Sequence, residues 1–307
     1  MQKENAPAGN LLKAAGFVNV GVLLFSIMIV MIKFASQHFD ALQIAAVRNV
    51  VGALIIFLLL ARQLNFRVSP QAFAMRQWPL GLARGLSVSV AQLAFFYAVT
   101  QIEIATVQTI AYATPLFVTA LSVPLLKDRV GVWRWSAVGI GFIGVILVLR
   151  PFGQGFQWVM VLPLFAAFCY GTNLVTVRLF DRDVKTLLIN NYSSWSAVLF
   201  SLTFVLFFSD SDWQAPAEAW WPLAGVGICG GLGIYFISAG YREVEPSKVA
   251  PFDYFGLIYA MLFGWLIFGE TPFARLFPGV LLIVGAGLLI VWREQIRKRR
   301  LKNKNNI

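Results

Sequence analysis

The chain has 307 residues, of which 59% are hydrophobic and only 13% charged, with a formal net charge of +11. Soluble domains carry about 25% charged residues, so a chain this apolar is predicted to lie in a membrane rather than in water. A strong positive charge would indicate nucleic-acid binding in a soluble protein. Here the basic residues fall in short loops between apolar runs, so membrane orientation explains them better and no nucleic acid is expected.

Ten apolar segments follow one another along the chain, each near the roughly 20 residues that a helix needs to cross a lipid bilayer. They predict an all-α integral membrane protein with ten transmembrane helices. The predicted spans, numbered one to ten, are residues 14–32, 41–60, 78–99, 105–126, 133–150, 158–177, 187–208, 220–240, 249–268 and 276–292. Residues 1–13 precede them and a basic tail, 293–307, follows. The first run has no small-residue cleavage site, so we interpret it as a retained helix.

The loop charges predict how these spans are oriented. Twenty of the 25 Lys and Arg residues flank one side of the spans, three flank the other side, and Arg48 and Arg84 lie inside spans. Because basic loops stay in the cytoplasm, we expect both termini there, in a protein of the inner (plasma) membrane. The basic stretch 297–300 is interpreted as an anchor for this topology.

The two halves of the chain resemble each other at a constant offset of 142 residues. The matching pairs are 101–107 with 243–249, Tyr112 with Tyr254, and Asp128 with Glu270. Each half, 14–150 and 158–292, carries five predicted spans. An odd number of spans forces the second copy to insert upside down, so the chain is predicted to form two inverted five-helix repeats. Inverted repeats build the two alternating gates of many secondary transporters.

Two glycine motifs imitate a dinucleotide-binding fingerprint, at 139–144 and 225–230. Both lie within apolar helices, where small residues instead let helices approach closely. The chain shows no phosphate-binding loop, no metal-ligand spacing and no catalytic serine motif. We therefore predict no cofactor, no metal and no catalytic residues. Cys169 and Cys229 lie inside apolar runs and predict no disulfide.

Three charged residues fall at membrane depth: Arg48, Arg84 and Asp253. Charges there are costly and are functional candidates by default. Arg84 and Asp253 lie at a similar depth, so they could form an ion pair, either within a binding site or in a purely structural role. The offset places Ala111 opposite Asp253 and Val226 opposite Arg84, so these charges have no copy in the other half.

Other polar residues concentrate in spans two to four and six to nine. This distribution predicts that those spans face a polar cavity, whereas spans one, five and ten face lipid or pack at the periphery. Pro115 and Pro251 interrupt spans four and nine, which suits a cavity or a hinge. The predicted substrate-binding residues are Arg48, Asn49, Arg84, Gln92, Gln108, Tyr112, Asn173, Asn190, Tyr235, Asp253 and Tyr254.

Several short motifs together carry a family resemblance. They are Lys33, Arg48-Asn49, Arg84-Gly85, Ala113-Thr-Pro115-Leu-Phe117, Val249-Ala-Pro251-Phe-Asp253-Tyr254 and Phe268-Gly-Glu270-Thr-Pro272. Through them residues 14–293 resemble the EamA-type ten-helix permeases of the drug/metabolite transporter superfamily, near the S-adenosylmethionine and riboflavin uptake carriers. The family's usual Gly-Glu after span four is Lys127-Asp128 here. The resemblance implies a central cavity between the repeats and alternating access.

The leading hypothesis is secondary active or facilitative transport of a small organic metabolite that is amino-acid-like, zwitterionic or nucleoside/flavin-like. Arg48 or Arg84 would attract a carboxylate or phosphate, aromatic faces would stack on a ring, and Asp253 would hold an amino group or a coupling proton. The alternatives are export of metabolites or drugs by the same fold, an intramembrane enzyme acting on lipid, and a non-transporting sensor or scaffold.

Overall fold

A computed structural model describes residues 8–63, 74–127, 130–151, 156–181, 183–184, 186–209, 213–244 and 249–304 of the protein. Every regular element in that part of the chain is helical. Asp128 and residues 245–248, which the comparison of the two halves used, lie outside the described residues.

Twelve α-helices and four short 3-10 segments are found within the described ranges. The helices are α1 (Ala8–Ala35), α2 (Ala41–Gln63), α3 (Trp78–Gln101), α4 (Ile104–Ala111), α5 (Thr114–Leu126), α6 (Val132–Leu149), α7 (Val161–Thr176), α8 (Thr186–Phe208), α9 (Trp220–Glu243), α10 (Phe255–Phe268), α11 (Phe273–Leu276) and α12 (Gly279–Lys304). The 3-10 segments are Trp158–Met160, Val177–Leu179, Ala217–Ala219 and Ala250–Tyr254.

The predicted all-helical membrane fold is confirmed. Nine helical stretches of the described chain are long and apolar enough to span a bilayer, and a shorter apolar helix, Gly279–Arg293, occupies the tenth position. Their ends agree with the predicted spans to within a few residues. Apolar side chains exposed along these helices, such as Leu206 and Ile258, are suited to contact with lipid rather than water.

Spans four and nine are broken where their prolines predicted. Span four divides into α4 and α5, with Pro115 in the first turn of α5, and Pro251 lies in the 3-10 segment that precedes α10. Proline has no N–H to donate and clashes with the preceding turn, so a continuous α-helix stops there. The breaks place Tyr112 and Tyr254 at the ends of short helical segments in the interior of the bundle.

Glycines bring pairs of helices into close contact, as the small-residue motifs predicted. A Cβ atom at Gly144 of α6 would lie only 2.7 Å from the carbonyl oxygen of Gly279 in α12. No ordinary side chain fits in that space, so the two backbones touch at this crossing. Gly141 and Gly144 of the motif at 139–144 therefore serve helix packing.

Spans one and ten are not peripheral, which corrects the prediction for them, since Ile290 and Val291 of α12 line an internal cavity. Helix α1 packs extensively against α9, and its side chains Val22, Phe25 and Met28 line an internal cavity. The prediction relied on polar residues to identify cavity walls. Because α1 contributes an apolar wall, that signal was missing from its sequence.

Candidate substrate-binding site

Two adjoining cavities lie inside the helical bundle. The arginine cavity, lined by Arg48 and Arg84, has a volume of about 820 Å³. The tyrosine cavity, lined by Tyr254 and Pro115, has a volume of about 720 Å³. Six residues line both cavities: Gln108, Ala111, Tyr112, Leu174, Tyr241 and Asp253. Volumes of this size suit small organic ligands.

Nine of the eleven predicted site residues line these cavities. Those in the arginine cavity alone are Arg48, Asn49, Arg84, Asn173 and Asn190; those in both are Gln108, Tyr112 and Asp253; Tyr254 lines the tyrosine cavity. The other two lie elsewhere. Gln92 is buried within the bundle, and Tyr235 is 42% exposed on α9, with its ring against Phe236.

Arg84 is held by an amide rather than by an acid. Its Nη2 donates to Oδ1 of Asn173 at 2.8 Å, and the Asn173 amide nitrogen donates back to the Arg84 carbonyl oxygen at 3.2 Å. The ring of Phe180 lies 5.7 Å from the guanidinium carbon. Nε and Nη1 of Arg84 are buried and have no hydrogen-bond partner. The guanidinium is therefore fixed in place but keeps donors for another group.

Arg48 repeats this arrangement on the neighbouring helix α2. Its Nη1 donates to Oδ1 of Asn49 at 3.2 Å, while its Nε and the Asn49 amide nitrogen are buried without a partner. Helix α9 leaves room for it, because a Cβ at Gly230 would lie 3.2 Å from Nε of Arg48. A side chain at position 230 would displace the arginine.

Asp253 lies in the 3-10 segment before α10, among three tyrosines. The hydroxyl of Tyr241 donates to Oδ2 of its carboxylate, and the hydroxyl of Tyr112 donates to its backbone carbonyl at 2.7 Å. The rings of Tyr112 and Tyr254 are 5.0 Å apart. Oδ1 of Asp253 and the Tyr254 hydroxyl are buried without a partner. This end of the site offers an acceptor and aromatic faces together.

The ion pair considered between Arg84 and Asp253 is absent. Both side chains are described, and no nitrogen of Arg84 lies within 4.0 Å of the Asp253 carboxylate. Each is engaged by a nearer neutral group, Asn173 in one case and Tyr241 in the other. Similar depth in the membrane did not bring the two side chains together, because they project from different helices toward different partners.

Tyr241 is the functional candidate that the sequence prediction missed. It sits at the end of α9 and touches Asp253, whereas Tyr235 in the same helix was selected instead. The two tyrosines are chemically alike. Only the depth of Tyr241, close to that predicted for Asp253, could have distinguished them.

An ion pair joins helix ends at one face of the bundle. Lys33 at the end of α1 forms an ion pair with Glu270, whose Oε2 also accepts the backbone N–H of Ile104 at 2.9 Å. The Lys33 ammonium lies 4.8 Å from the centre of the Phe268 ring. We call this group the Glu270 latch. It joins the ends of α1, α4 and α10.

The tyrosine cavity extends toward the opposite face. Its lining includes Leu126 at the end of α5, Arg134 near the start of α6 and Arg178 just after α7. These positions lie at the helix ends far from the Glu270 latch. The cavity system is therefore asymmetric: it reaches the helix ends on the face opposite the Glu270 latch, and none of the latch residues lines either cavity.

A bundle of membrane-spanning helices around an internal cavity that holds buried charged side chains is the architecture of a membrane transporter. The chain belongs to the EamA-like transporter family, whose sequence profile matches residues 12–150 and 157–292, once in each half. The resemblance drawn from the short motifs is thus confirmed.

Individual relatives are transporters of small metabolites. The chain is 33% identical over 193 residues to a riboflavin transporter of Vibrio cholerae, an alignment covering 62% of this chain and 63% of that protein, just under two thirds of its length. It is 28% identical to the pseudopaline exporter CntI of Pseudomonas aeruginosa, covering 85% and 90%. It is 24% identical to the S-adenosylmethionine uptake transporter of Rickettsia prowazekii, covering 69% and 71%.

A solved crystal structure, described only as that of a protein, shares the fold. It superposes with a TM-score of 0.63 at 19% identity, covering 94% of this chain and 98% of the other. The match extends over nearly the whole of both chains, so the arrangement of helices is that of a known fold.

Proposed function

We propose that the protein carries a small organic metabolite across the inner membrane by alternating access, as a secondary active or facilitative transporter with both termini in the cytoplasm. The observation that carries this proposal is the set of buried polar atoms without partners around the two cavities. They are Nε of Arg48, Nδ2 of Asn49, Nε and Nη1 of Arg84, Oδ1 of Asp253 and the Tyr254 hydroxyl.

Buried polar groups are almost always hydrogen-bonded, so this concentration needs an explanation. A polar solute entering the cavity would satisfy donors at the arginines and an acceptor at Asp253. The site therefore fits a molecule with an acidic group at one end and an amino group or an aromatic ring at the other. Amino-acid-like, zwitterionic and nucleoside- or flavin-like metabolites share these features.

The asymmetry of the cavities supports alternating access. An ion pair that holds helix ends together on one face, with the tyrosine cavity reaching toward the other, fits one of two end states. Rocking of the two repeats would break the latch and close the opposite side. Asp253 is the candidate site of a coupling proton, since it is the only acidic residue among the described cavity-lining residues.

Transport by purified protein in proteoliposomes tests this function. A mixed panel of metabolites is supplied with and without a proton gradient, and flux is followed in both directions because the relatives include uptake carriers and an exporter. We expect flux of at least one metabolite above that of protein-free vesicles, lost in Arg84→Ala and retained in the exposed-loop control Arg76→Ala. Absence of any protein-dependent flux, or equal flux in Arg84→Ala, would contradict the proposal.

A further inference from the structure

The charged residues of the arginine cavity do not balance. Among the described residues that line it, the charged side chains are Arg48, Arg84 and Asp253. Two positive groups thus face one acidic group. If Asp253 is ionised the walls carry an excess of one positive charge, and if it is protonated the excess is two.

Neither arginine is neutralised by the protein. The ion pairs of Lys13 with Glu243 and of Lys33 with Glu270 involve neither arginine, and none of these four residues lines either cavity. The partners of the arginines are the amides of Asn49 and Asn173, which accept a hydrogen bond but carry no charge. The full positive charge of each guanidinium therefore remains available to whatever enters.

A buried charge without a counter-charge is costly in a medium of low dielectric constant. A neutral solute would leave the excess uncompensated, and a cationic solute would increase it. Arg48 and Arg84 together thus give the arginine cavity an excess of positive charge. A cleft lined by one sign of charge concentrates solutes of the opposite sign.

We infer that the transported solute is a net anion, with more carboxylate or phosphate groups than amino groups. This inference rests on the transport function proposed above and narrows its substrate class. The acidic groups lie against Arg48 and Arg84. An amino group, where the solute has one, lies against the free Oδ1 of Asp253. Neutral and cationic metabolites of the same size are poorer substrates.

Binding to the purified protein in detergent tests the charge preference directly. Four probe pairs differ in charge at similar shape: L-glutamate and L-glutamine, glutarate and glutaramide, nicotinate and nicotinamide, AMP and adenosine. Thermal unfolding is followed as each probe is titrated. In at least one pair we expect the anion to stabilise the protein at about tenfold lower concentration than its neutral partner. AMP and the carboxylates together separate a phosphate site from a carboxylate site.

Two outcomes would overturn the inference: no anionic probe stabilises the protein, or in every pair with a measurable effect the neutral member stabilises it at an equal or lower concentration than its anion. Arg48→Gln and Arg84→Gln, measured separately, should each remove most of the preference. Arg76→Gln removes the same charge from an exposed loop and should keep it. If Arg76→Gln also loses the preference for anions, the cavity is not the source of that preference.

The same probes in proteoliposomes separate this inference from the proposed function. If anions bind but are not carried across the vesicle membrane, the preference of the site for anions is supported and the proposed transport is contradicted. Protein-dependent flux of neutral or cationic solutes in preference to anions would support transport and overturn the inferred substrate class.

Discussion

The arginines of the cavity illustrate how neutral partners preserve charge. Asn173 fixes Arg84 through two hydrogen bonds, one in each direction, without cancelling its charge. A carboxylate in that place would hold the guanidinium more tightly, since charge-assisted hydrogen bonds are roughly twice as strong. It would also neutralise the positive charge of Arg84, which would then be less available to a solute.

We therefore predict that Asn173→Asp reduces transport by about tenfold or more, although Arg84 itself is unchanged. The new carboxylate would form an ion pair with Arg84 across the present 2.8 Å contact. Initial flux of the best metabolite from the panel measures the effect. Asn173→Ser, which is neutral and shorter, serves as the control. If Asn173→Asp transports as well as wild type, the charge of Arg84 is not used in binding.

Asp253 permits a second prediction at the level of a single residue. Asp253→Asn still accepts the hydrogen bond from Tyr241 but can no longer gain and lose a proton at physiological pH. We expect flux in this variant to become insensitive to a proton gradient, while exchange of solute across the membrane continues. Flux with and without the gradient provides the measurement.

Tyr241→Phe is the matched control for this prediction. It removes the donor to the carboxylate and keeps the acid, so any gradient dependence of the wild type should persist. Gradient-driven flux that survives in Asp253→Asn would place the coupling proton elsewhere or exclude it.

At the scale of elements, the broken helices shape the site. The interruption between α4 and α5 puts Tyr112 beside Asp253, and the 3-10 segment before α10 orients both Asp253 and Tyr254. A continuous helix in either place would carry these side chains around its axis at 3.6 residues per turn. The prolines therefore act on the site indirectly, through the backbone geometry of its neighbours.

The Glu270 latch gives a prediction about access to the cavity. Glu270→Gln can still accept the N–H of Ile104 but loses the ion pair with Lys33. We expect the face that bears Lys33 to open more often. A reporter cysteine, Phe95→Cys in the arginine cavity, should then react faster with a membrane-impermeant maleimide added outside intact cells.

The background for this labelling carries serine at both native cysteines, Cys169 and Cys229. Glu243→Gln is the control, because it breaks the exposed pair between Lys13 and Glu243 at the other face. Equal labelling rates with Glu270→Gln and Glu243→Gln would show that the latch does not hold this face closed.

The crossing of α6 and α12 gives a prediction about stability. Gly144→Leu would force a side chain into backbone atoms of Gly279, so we expect a loss of about 1–3 kcal/mol or more. Gly139→Leu lies one turn away on α6 and has no atom within 4 Å of its would-be Cβ, so it should be near neutral. Thermal unfolding in detergent compares them. Equal melting temperatures would contradict the close crossing.

At the scale of the whole molecule, the two repeats meet at the site. Tyr112 and Tyr254, paired by the offset between the halves, are in ring contact. Arg84 and Asp253 have the apolar residues Val226 and Ala111 at the equivalent positions. Both repeats thus contribute a tyrosine to the aromatic centre of the site. Arg84 occurs only in the first repeat and Asp253 only in the second.

The orientation of the chain in the membrane is a second prediction about the whole molecule. Because twenty basic residues flank one side of the spans, both termini should be cytoplasmic. A fluorescent protein fused to the C-terminus should be fluorescent in cells, and alkaline phosphatase fused after Gln157 should be active. The reverse pattern would invert the topology and with it the direction in which the Glu270 latch faces.

Much of the architecture follows from the sequence because long apolar runs have few alternatives in a membrane. Hydrogen bonding within helices, span length and the prolines at 115 and 251 are local properties, and the structure agrees with each. Arg48, Arg84 and Asp253, which line the cavities, could be selected from the sequence because charges at membrane depth are costly unless they have a role. Tyr235 was selected although it lines neither cavity, because the choice between two tyrosines depends on which turn of α9 faces Asp253.

The sequence alone determined that this chain is a ten-span membrane protein of the EamA type, with repeats and charges that point to a polar interior. Only the tertiary structure decided which groups meet: Asn173 rather than Asp253 holds Arg84, Tyr241 holds Asp253, and α1 forms an apolar wall of the cavity. The physical reason is that hydropathy and helix breaking act along the chain. Side-chain partners instead depend on the rotation and crossing of helices that are distant in sequence.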